Sequence, residues 1–127
     1  MLSDNNNYIC SRMKNLKYRQ VFLYKNYFTD FLNIQRPKVR LKILWTLKLV
    51  ETLQFVPQDY FKHIRNGIYE IRVQSGNDIF RIFCFLDHDK LVVLANGFQK
   101  KTQKTPVNEI NKAQKIKDEY ESEKQHA

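Results

Sequence analysis

Glycine, cysteine and histidine are all scarce in this sequence: three glycines, two cysteines and three histidines in 127 residues. The glycines are too few for a Gly-rich phosphate loop, and no serine or cysteine nucleophile motif is present. Cys10 and Cys84 make no disulfide framework, and Cys84, inside an apolar run, is predicted to be a small buried hydrophobe. His63, His88 and His126 lack metal-binding spacing. We therefore expect neither a metal site nor a cofactor.

Long hydrophobic runs are also missing. No apolar stretch approaches the roughly 20 residues that cross a membrane, and the polar start from Met1 to Ser11 does not fit a signal peptide. We expect a cytoplasmic protein with no membrane partner. Residues 1–17 are predicted to be a flexible leader, with Met1 or Met13 as the native start, residues 18–121 a single domain, and residues 122–127 a flexible tail.

Positive charge, in contrast, is abundant. The 22 Lys and Arg residues against 13 Asp and Glu give a net charge of +9, and the pI is near 9.6. A hydrophobic share of 43% is enough for the core of one compact domain. The charge favours a polyanionic partner such as RNA, although an acidic protein would respond to the same field.

The apolar pattern predicts an α+β domain. Residues 18–24 read as a short strand, helical spacing follows to Leu32, and a second helix begins at Pro37, so these two helices form a hairpin. Strand patterns at 69–73, 79–86 and 91–95 predict three antiparallel strands, and Pro106 opens a last helix. We expect an antiparallel-rich sheet with the helical hairpin on one face and the chemically active side chains on the other.

The segment from Gly97 to Pro106 is cationic and has no carboxylate. It carries ammonium groups, hydroxyls and an amide, on the residues Lys100, Lys101, Thr102, Gln103, Lys104 and Thr105. Such a segment suits a phosphate chain, because lysines supply charge while the other side chains and the start of the next helix supply directed donors. A solvated basic connection between two elements is the alternative.

Arg81 interrupts an otherwise apolar strand. The turn at residues 75–78 predicts a hairpin in which Arg81 lies opposite Glu70 or Arg72. Arg81 then either pairs with Glu70 to compensate its burial, or joins Arg72 in a cationic set on rigid strands. The two interpretations are compatible.

Two stretches resemble the HigB-like, phage-derived branch of the RelE/ParE toxin superfamily. One is the Phe-x-Lys-Lys-Thr-x-Lys-Thr-Pro pattern that ends in a helix, with the matching residues Phe98, Lys100, Lys101, Thr102, Lys104, Thr105, Pro106, Glu109, Ile110 and Ala113. The other is the strand at residues 68–72 with its neighbour at 80–82. With the helical region before them, the resemblance covers residues 18–120.

The resemblance implies a RelE-like fold and an mRNA interferase, which is a metal-independent endoribonuclease that cleaves translated messenger RNA on the ribosome and so arrests translation. It also implies a cognate antitoxin, a HigA-like helix-turn-helix protein. By resemblance, the catalytic role falls on the residues Arg72, Arg81, Lys100 and Lys101.

From the residues themselves, Glu70 is the nearby carboxylate that can act as a base. The candidate RNA contacts are Lys104, Thr102, Gln103 and His63. The best-known RelE-type sites add a tyrosine on or near the final helix, whereas residues 105–108 contain none, so the acid and base assignment stays open.

Two other function classes fit the same scaffold. A ParE-like toxin would inhibit DNA gyrase by protein contact, and an RNA-binding module would lack catalysis. The predicted convergence of Arg81 and the lysine segment on one face favours the nuclease, because inhibition by contact does not need it.

Overall fold

A computed structural model describes residues 17–125 and has the α+β architecture that the sequence predicts. Within this range there are five strands and three helices: β1 (Gln20–Leu23), α1 (Tyr27–Asn33), α2 (Pro37–Thr52), β2 (Phe61–Arg65), β3 (Ile68–Ser75), β4 (Asp78–Asp87), β5 (Leu91–Lys100) and α3 (Val107–Gln125). The expectations for Cys10, His126 and the two alternative starts lie outside the described residues.

The strands form one sheet in the order β1-β5-β4-β3-β2. The pairs β2–β3, β3–β4 and β4–β5 are antiparallel. The pair β1–β5 is parallel, with Gln20 opposite Leu91. The two N-terminal helices provide the crossover that a parallel pair requires.

The sequence prediction lacks strand β2, so its three antiparallel strands are corrected to four. β2 joins β3 through a tight turn at Asn66 and Gly67, whose φ angles are 52° and 76°. Asn-Gly is the strongest short hairpin signal, because a type I′ turn needs positive φ at both central residues. The signal for β2 is therefore present in the sequence.

Both faces of the sheet are at least partly covered. The helical hairpin α1–α2 packs on one face, with a core of Phe28, Phe31, Val39, Ile43, Leu47, Val50, Ile71, Val73, Phe80, Ile82, Cys84, Val92 and Leu94. α3 packs on the other face and buries Ile110, Ala113 and Ile116 against Phe83 and Phe85 of β4. That second face is therefore free only away from α3.

Gly97 lets α1 approach β5 closely. A β-carbon at Gly97 would lie 2.5 Å from Cδ2 of Phe31, closer than two carbon atoms can come without a shift. The Phe31 ring thus packs directly on the backbone of β5, at the first residue of the lysine segment.

The final helix extends to the end of the described residues. α3 ends at Gln125, and Lys124 Nζ lies 2.6 Å from Asp87 Oδ1 at the end of β4. α3 is also strongly charged, and none of the helices between residues 17 and 125 has the length and apolar character needed to cross a membrane.

Candidate functional site

The hairpin of β3 and β4 places Arg72 directly opposite Arg81. This is one of the two partners that the predicted turn allows. Like charges directly opposite each other destabilise a sheet unless something compensates them. The compensation must be strong here, because Arg81 is only 6% exposed and the Arg72 side chain 31% exposed.

Glu70 bridges the two arginines. Its Oε1 lies 3.4 Å from Arg72 Nε and 3.6 Å from Arg81 Nε, and the residue is 4% exposed. Arg81 therefore pairs with Glu70 and also belongs to a cationic set with Arg72. One carboxylate faces two guanidinium groups, so this arginine pair retains about one uncompensated positive charge.

The arginine pair is incompletely hydrogen-bonded within residues 17–125. Arg81 Nη1 donates to the carbonyl of Phe80 at 3.1 Å, but Nε of both arginines and Oε2 of Glu70 have no hydrogen-bond partner there. Burial lowers the pKa of Arg81, with Glu70 opposing that shift and Arg72 adding to it. The guanidinium nevertheless stays protonated, so the pair remains cationic.

A cleft of about 380 Å³ opens beside the pair at the edge of β3. Among its lining residues are Lys42, Asp59, Tyr60, Arg72, Gln74 and Arg81. Tyr60 precedes β2, and its carbonyl accepts the Arg72 main-chain N–H at 2.9 Å, which fixes this wall of the cleft. With Glu70 counted beside Asp59, two carboxylates face the three cations Lys42, Arg72 and Arg81, so the cleft keeps an excess of positive charge.

The lysine segment begins in β5, the strand next to the one that carries Arg81. The segment Gly97–Pro106 is not all loop, because β5 continues through Lys100, which lies opposite Ile79. Arg81 lies opposite Phe98, so Lys100 is its diagonal neighbour on the same face, at a distance of about 7–8 Å for such positions. The structure thus brings Lys100 to the arginine pair.

The rest of the segment forms a short exposed rim. Lys101, Thr102, Gln103 and Lys104 are exposed, and the Thr102 hydroxyl donates to the carbonyl of Lys104 at 2.9 Å. Neither Lys101 nor Lys104 makes an ion pair with a described carboxylate, so both ammonium groups face solvent beyond the end of β5.

His63 does not join this set. It lies opposite Tyr69 in the β2–β3 pair and packs edge-on against that ring, with centroids 5.0 Å apart. Because side chains alternate along a strand, Tyr69 and His63 lie on the face opposite to Glu70. Lys62 lies opposite Glu70 instead and was missed in the sequence together with β2.

Other reactive groups lie apart from the arginine pair. Cys84 is fully buried, as the sequence predicts, and burial raises the pKa of its thiol, so it is unreactive. His88 lies in the turn after β4, 3.3 Å from Asp87. No group of three His, Cys, Asp or Glu side chains within the described range is arranged to hold a metal ion.

Comparison with known protein families identifies a family for this chain. The family model described as "Phage derived protein Gp49-like (DUF891)" matches residues 30–118, which is more than two thirds of the chain. The matched range includes α2, strands β2 to β5, the arginine pair and the lysine segment. The sequence has no match among curated proteins.

Proposed function

We propose that this chain, which belongs to the phage-derived Gp49-like family of RelE/HigB-like toxins, is a HigB-type mRNA interferase of a type II toxin–antitoxin system. The observation that carries the nuclease activity is the opposition of Arg72 and Arg81 around the single carboxylate of Glu70. Such an arrangement costs stability unless a further anion completes it. A phosphate of the RNA backbone has the charge and the acceptors to do so.

Cleavage uses the neighbouring 2′-hydroxyl as the nucleophile. Its oxygen gives its proton to solvent water and attacks the phosphorus, the bond to the 5′-oxygen breaks, and the leaving 5′-oxygen takes up a proton, so a 2′,3′-cyclic phosphate and a free 5′-hydroxyl result. The protein must hold the phosphate in line, stabilise the pentavalent transition state and supply a proton to the leaving oxygen. Arg72 and Arg81 perform the first two tasks as planar forks on rigid strands, and the burial of Arg81 strengthens its field.

The remaining residues have supporting roles in this proposal. Glu70 is buried and held by both arginines, so it orients them rather than acting as the base that the sequence suggested. Lys100 protonates the leaving oxygen in this proposal, with Lys101 beside it, and its position diagonal to Arg81 supports that role. The exposed Thr102, Gln103 and Lys104 bind phosphates of neighbouring nucleotides.

The test is to induce expression of the protein in cells and to map the 5′ ends of the transcripts. Cleavage of messenger RNA by the purified protein is then measured with and without ribosomes. Arg81→Lys keeps the charge but loses the fork, so cleavage should fall about a hundredfold or more, while the fold is retained. Arg65→Lys, at an exposed position of β2, is the matched control and should cleave like the wild type. Arrested replication with intact transcripts would contradict the nuclease and favour a gyrase inhibitor.

Membership of a toxin family implies an antitoxin partner, and we propose a HigA-like helix-turn-helix protein. The target is translated messenger RNA on the ribosome, which places the activity in the cytoplasm. The antitoxin should cover the arginine pair or hold the lysine segment away from RNA, so co-expression should be needed for good yield. Accumulation of the lone chain without growth arrest would contradict the toxin assignment.

A further inference from the structure

One stripe of α2 combines cations with an exposed aromatic ring. Lys38, Lys42 and Trp45 follow the i, i+4, i+7 spacing and therefore share one side of the helix. All three line a second recess of about 520 Å³, which is closed on its other side by Gln74 and Gly76 at the tip of the β3–β4 hairpin.

The two recesses adjoin each other. Lys42 and Gln74 line both of them, and we call the surface from the arginine pair to Trp45 the trough. This trough was missed in the sequence, because nothing in the spacing of α2 indicates which strand residues it faces. Its cations are Lys38, Lys42, Arg72 and Arg81, which outnumber the carboxylates of Asp59 in the lining and Glu70 beneath the arginines.

Trp45 presents an aromatic surface at the far end of the trough. It is 46% exposed, although an indole of this size would be expected to pack into the core. Tyr60 supports its ring edge-on, with centroids 6.1 Å apart, and Lys42 Nζ lies 4.5 Å from the ring centre. The ring is thus oriented by its neighbours while much of it faces solvent.

Aromatic rings alternating with cations are the pattern that binds single-stranded nucleic acid. Bases stack on aromatic faces, and the phosphates between them are neutralised by lysine and arginine. A basic or purely apolar partner would leave the lysines of the trough unpaired and desolvated. Charge and composition therefore favour an RNA strand as the occupant.

We propose that Trp45 is a stacking platform for a nucleobase of the bound RNA, with Lys42 contacting the phosphate between that base and the phosphate held by Arg72 and Arg81. This inference rests on the proposed function for RNA as the ligand, but it does not depend on cleavage. It assigns to α2 a part in choosing the base near the cut, since purines stack more strongly than pyrimidines.

The sequence contains a single tryptophan, so its fluorescence reports on Trp45 alone. The probe is a single-stranded 2′-O-methyl RNA of about ten nucleotides, which spans one binding groove and lacks the attacking hydroxyl. Titration should quench the fluorescence in a saturable manner. Inorganic polyphosphate, which carries charge without bases, should bind without comparable quenching.

Variants test the same contact by affinity, measured from the anisotropy of the labelled probe. Trp45→Ala should weaken binding roughly tenfold to a hundredfold, and Trp45→Phe should recover much of it. Phe55→Ala is the matched control, because Phe55 is an exposed aromatic residue outside the trough, and its affinity should equal that of the wild type.

The result separates this inference from the proposed function. Bound probe without quenching, together with full affinity of Trp45→Ala, would overturn the stacking platform even if unmodified RNA is cleaved. Quenching of the wild-type fluorescence, together with weakened binding by Trp45→Ala, would support the platform even if no RNA is cleaved. The absence of cleavage would then reject the nuclease activity alone.

Discussion

Asn96 in β5 donates from Nδ2 to two acceptors on Glu109: the main-chain carbonyl at 3.1 Å and Oε2 at 2.9 Å. Asn96 is 2% exposed, and Glu109 lies in the first turn of α3. A bulge in β5, between the partners of Ile82 and Cys84, accommodates this arrangement. The bond therefore fixes both ends of the lysine segment, while the middle of the segment stays exposed.

Asn96→Ala should destabilise the domain. It removes both hydrogen bonds to Glu109 and leaves that side chain without its buried partner, at a cost of about 1–3 kcal/mol. For a domain of this size the melting temperature should fall by roughly 4 °C for each kcal/mol, as measured by thermal unfolding. Asn108→Ala, at an exposed position of the same turn, serves as the control. Equal melting of the two variants would show that the bond contributes nothing to stability.

Glu70 and Arg81 should show strong energetic coupling. Glu70→Gln leaves two guanidinium groups facing each other without a carboxylate and should cost about 3–5 kcal/mol of unfolding free energy. Arg81→Met removes one of the two like charges, so the double variant should recover part of that loss. Denaturant unfolding of the four proteins gives the coupling energy. If the two single losses simply add, Glu70 does not compensate Arg81.

The lysine segment should set the salt dependence of RNA binding. Replacing Lys100, Lys101 and Lys104 with Gln should flatten the slope of log K against log salt concentration by about 0.7 to 1 for each lost phosphate contact. The charge-matched control replaces Lys48, Lys90 and Lys115, which are exposed elsewhere. An identical slope in both triple variants would remove the segment from the RNA contacts.

Asp87 should contribute stability that acid removes. Hydrogen bonds from Lys124 and Tyr120 hold the pKa of Asp87 below its ordinary value. A depressed carboxyl pKa stabilises the fold above the unfolded value of about 3.9, and this contribution is lost as pH falls through the folded pKa.

Asp87→Asn should therefore melt a few degrees below the wild type at pH 7, and the gap should narrow below about pH 4. Asp89→Asn, exposed in the same turn, is the control. Melting curves from pH 7 down to about 2.5 would test this, and a gap that does not change with pH would contradict it.

The sequence predicted the helices and strands whose apolar periodicity is strong. The prediction was wrong where tertiary contacts determine the secondary structure. The helical hairpin and strands β3 to β5 are confirmed, because their core residues repeat at helical or alternating spacing. The end of β5 was misjudged, since Gln99 and Lys100 are poor strand formers that become strand by pairing with Phe80 and Ile79.

The candidate site was predictable only in part. The turn between β3 and β4 limited Arg81 to two partners, and the structure has one of them, Arg72. Lys42 and Trp45 lie some thirty positions earlier in the chain, and only the packing of α2 against β3 brings them to the arginines. Periodicity within a helix does not specify that crossing.

The parallel pairing of β1 with β5 determines how late the sheet can be completed during synthesis. Gln20 and Leu91 are 71 positions apart, so at about 5–20 residues per second a ribosome needs roughly 4–14 s to make the second strand after the first. The β3–β4 hairpin with its two arginines closes locally before then, whereas β1 must wait with an unpaired edge. The last contacts to form are thus long-range ones, which folding acquires most slowly, and the sheet cannot be completed until β5 has left the ribosome.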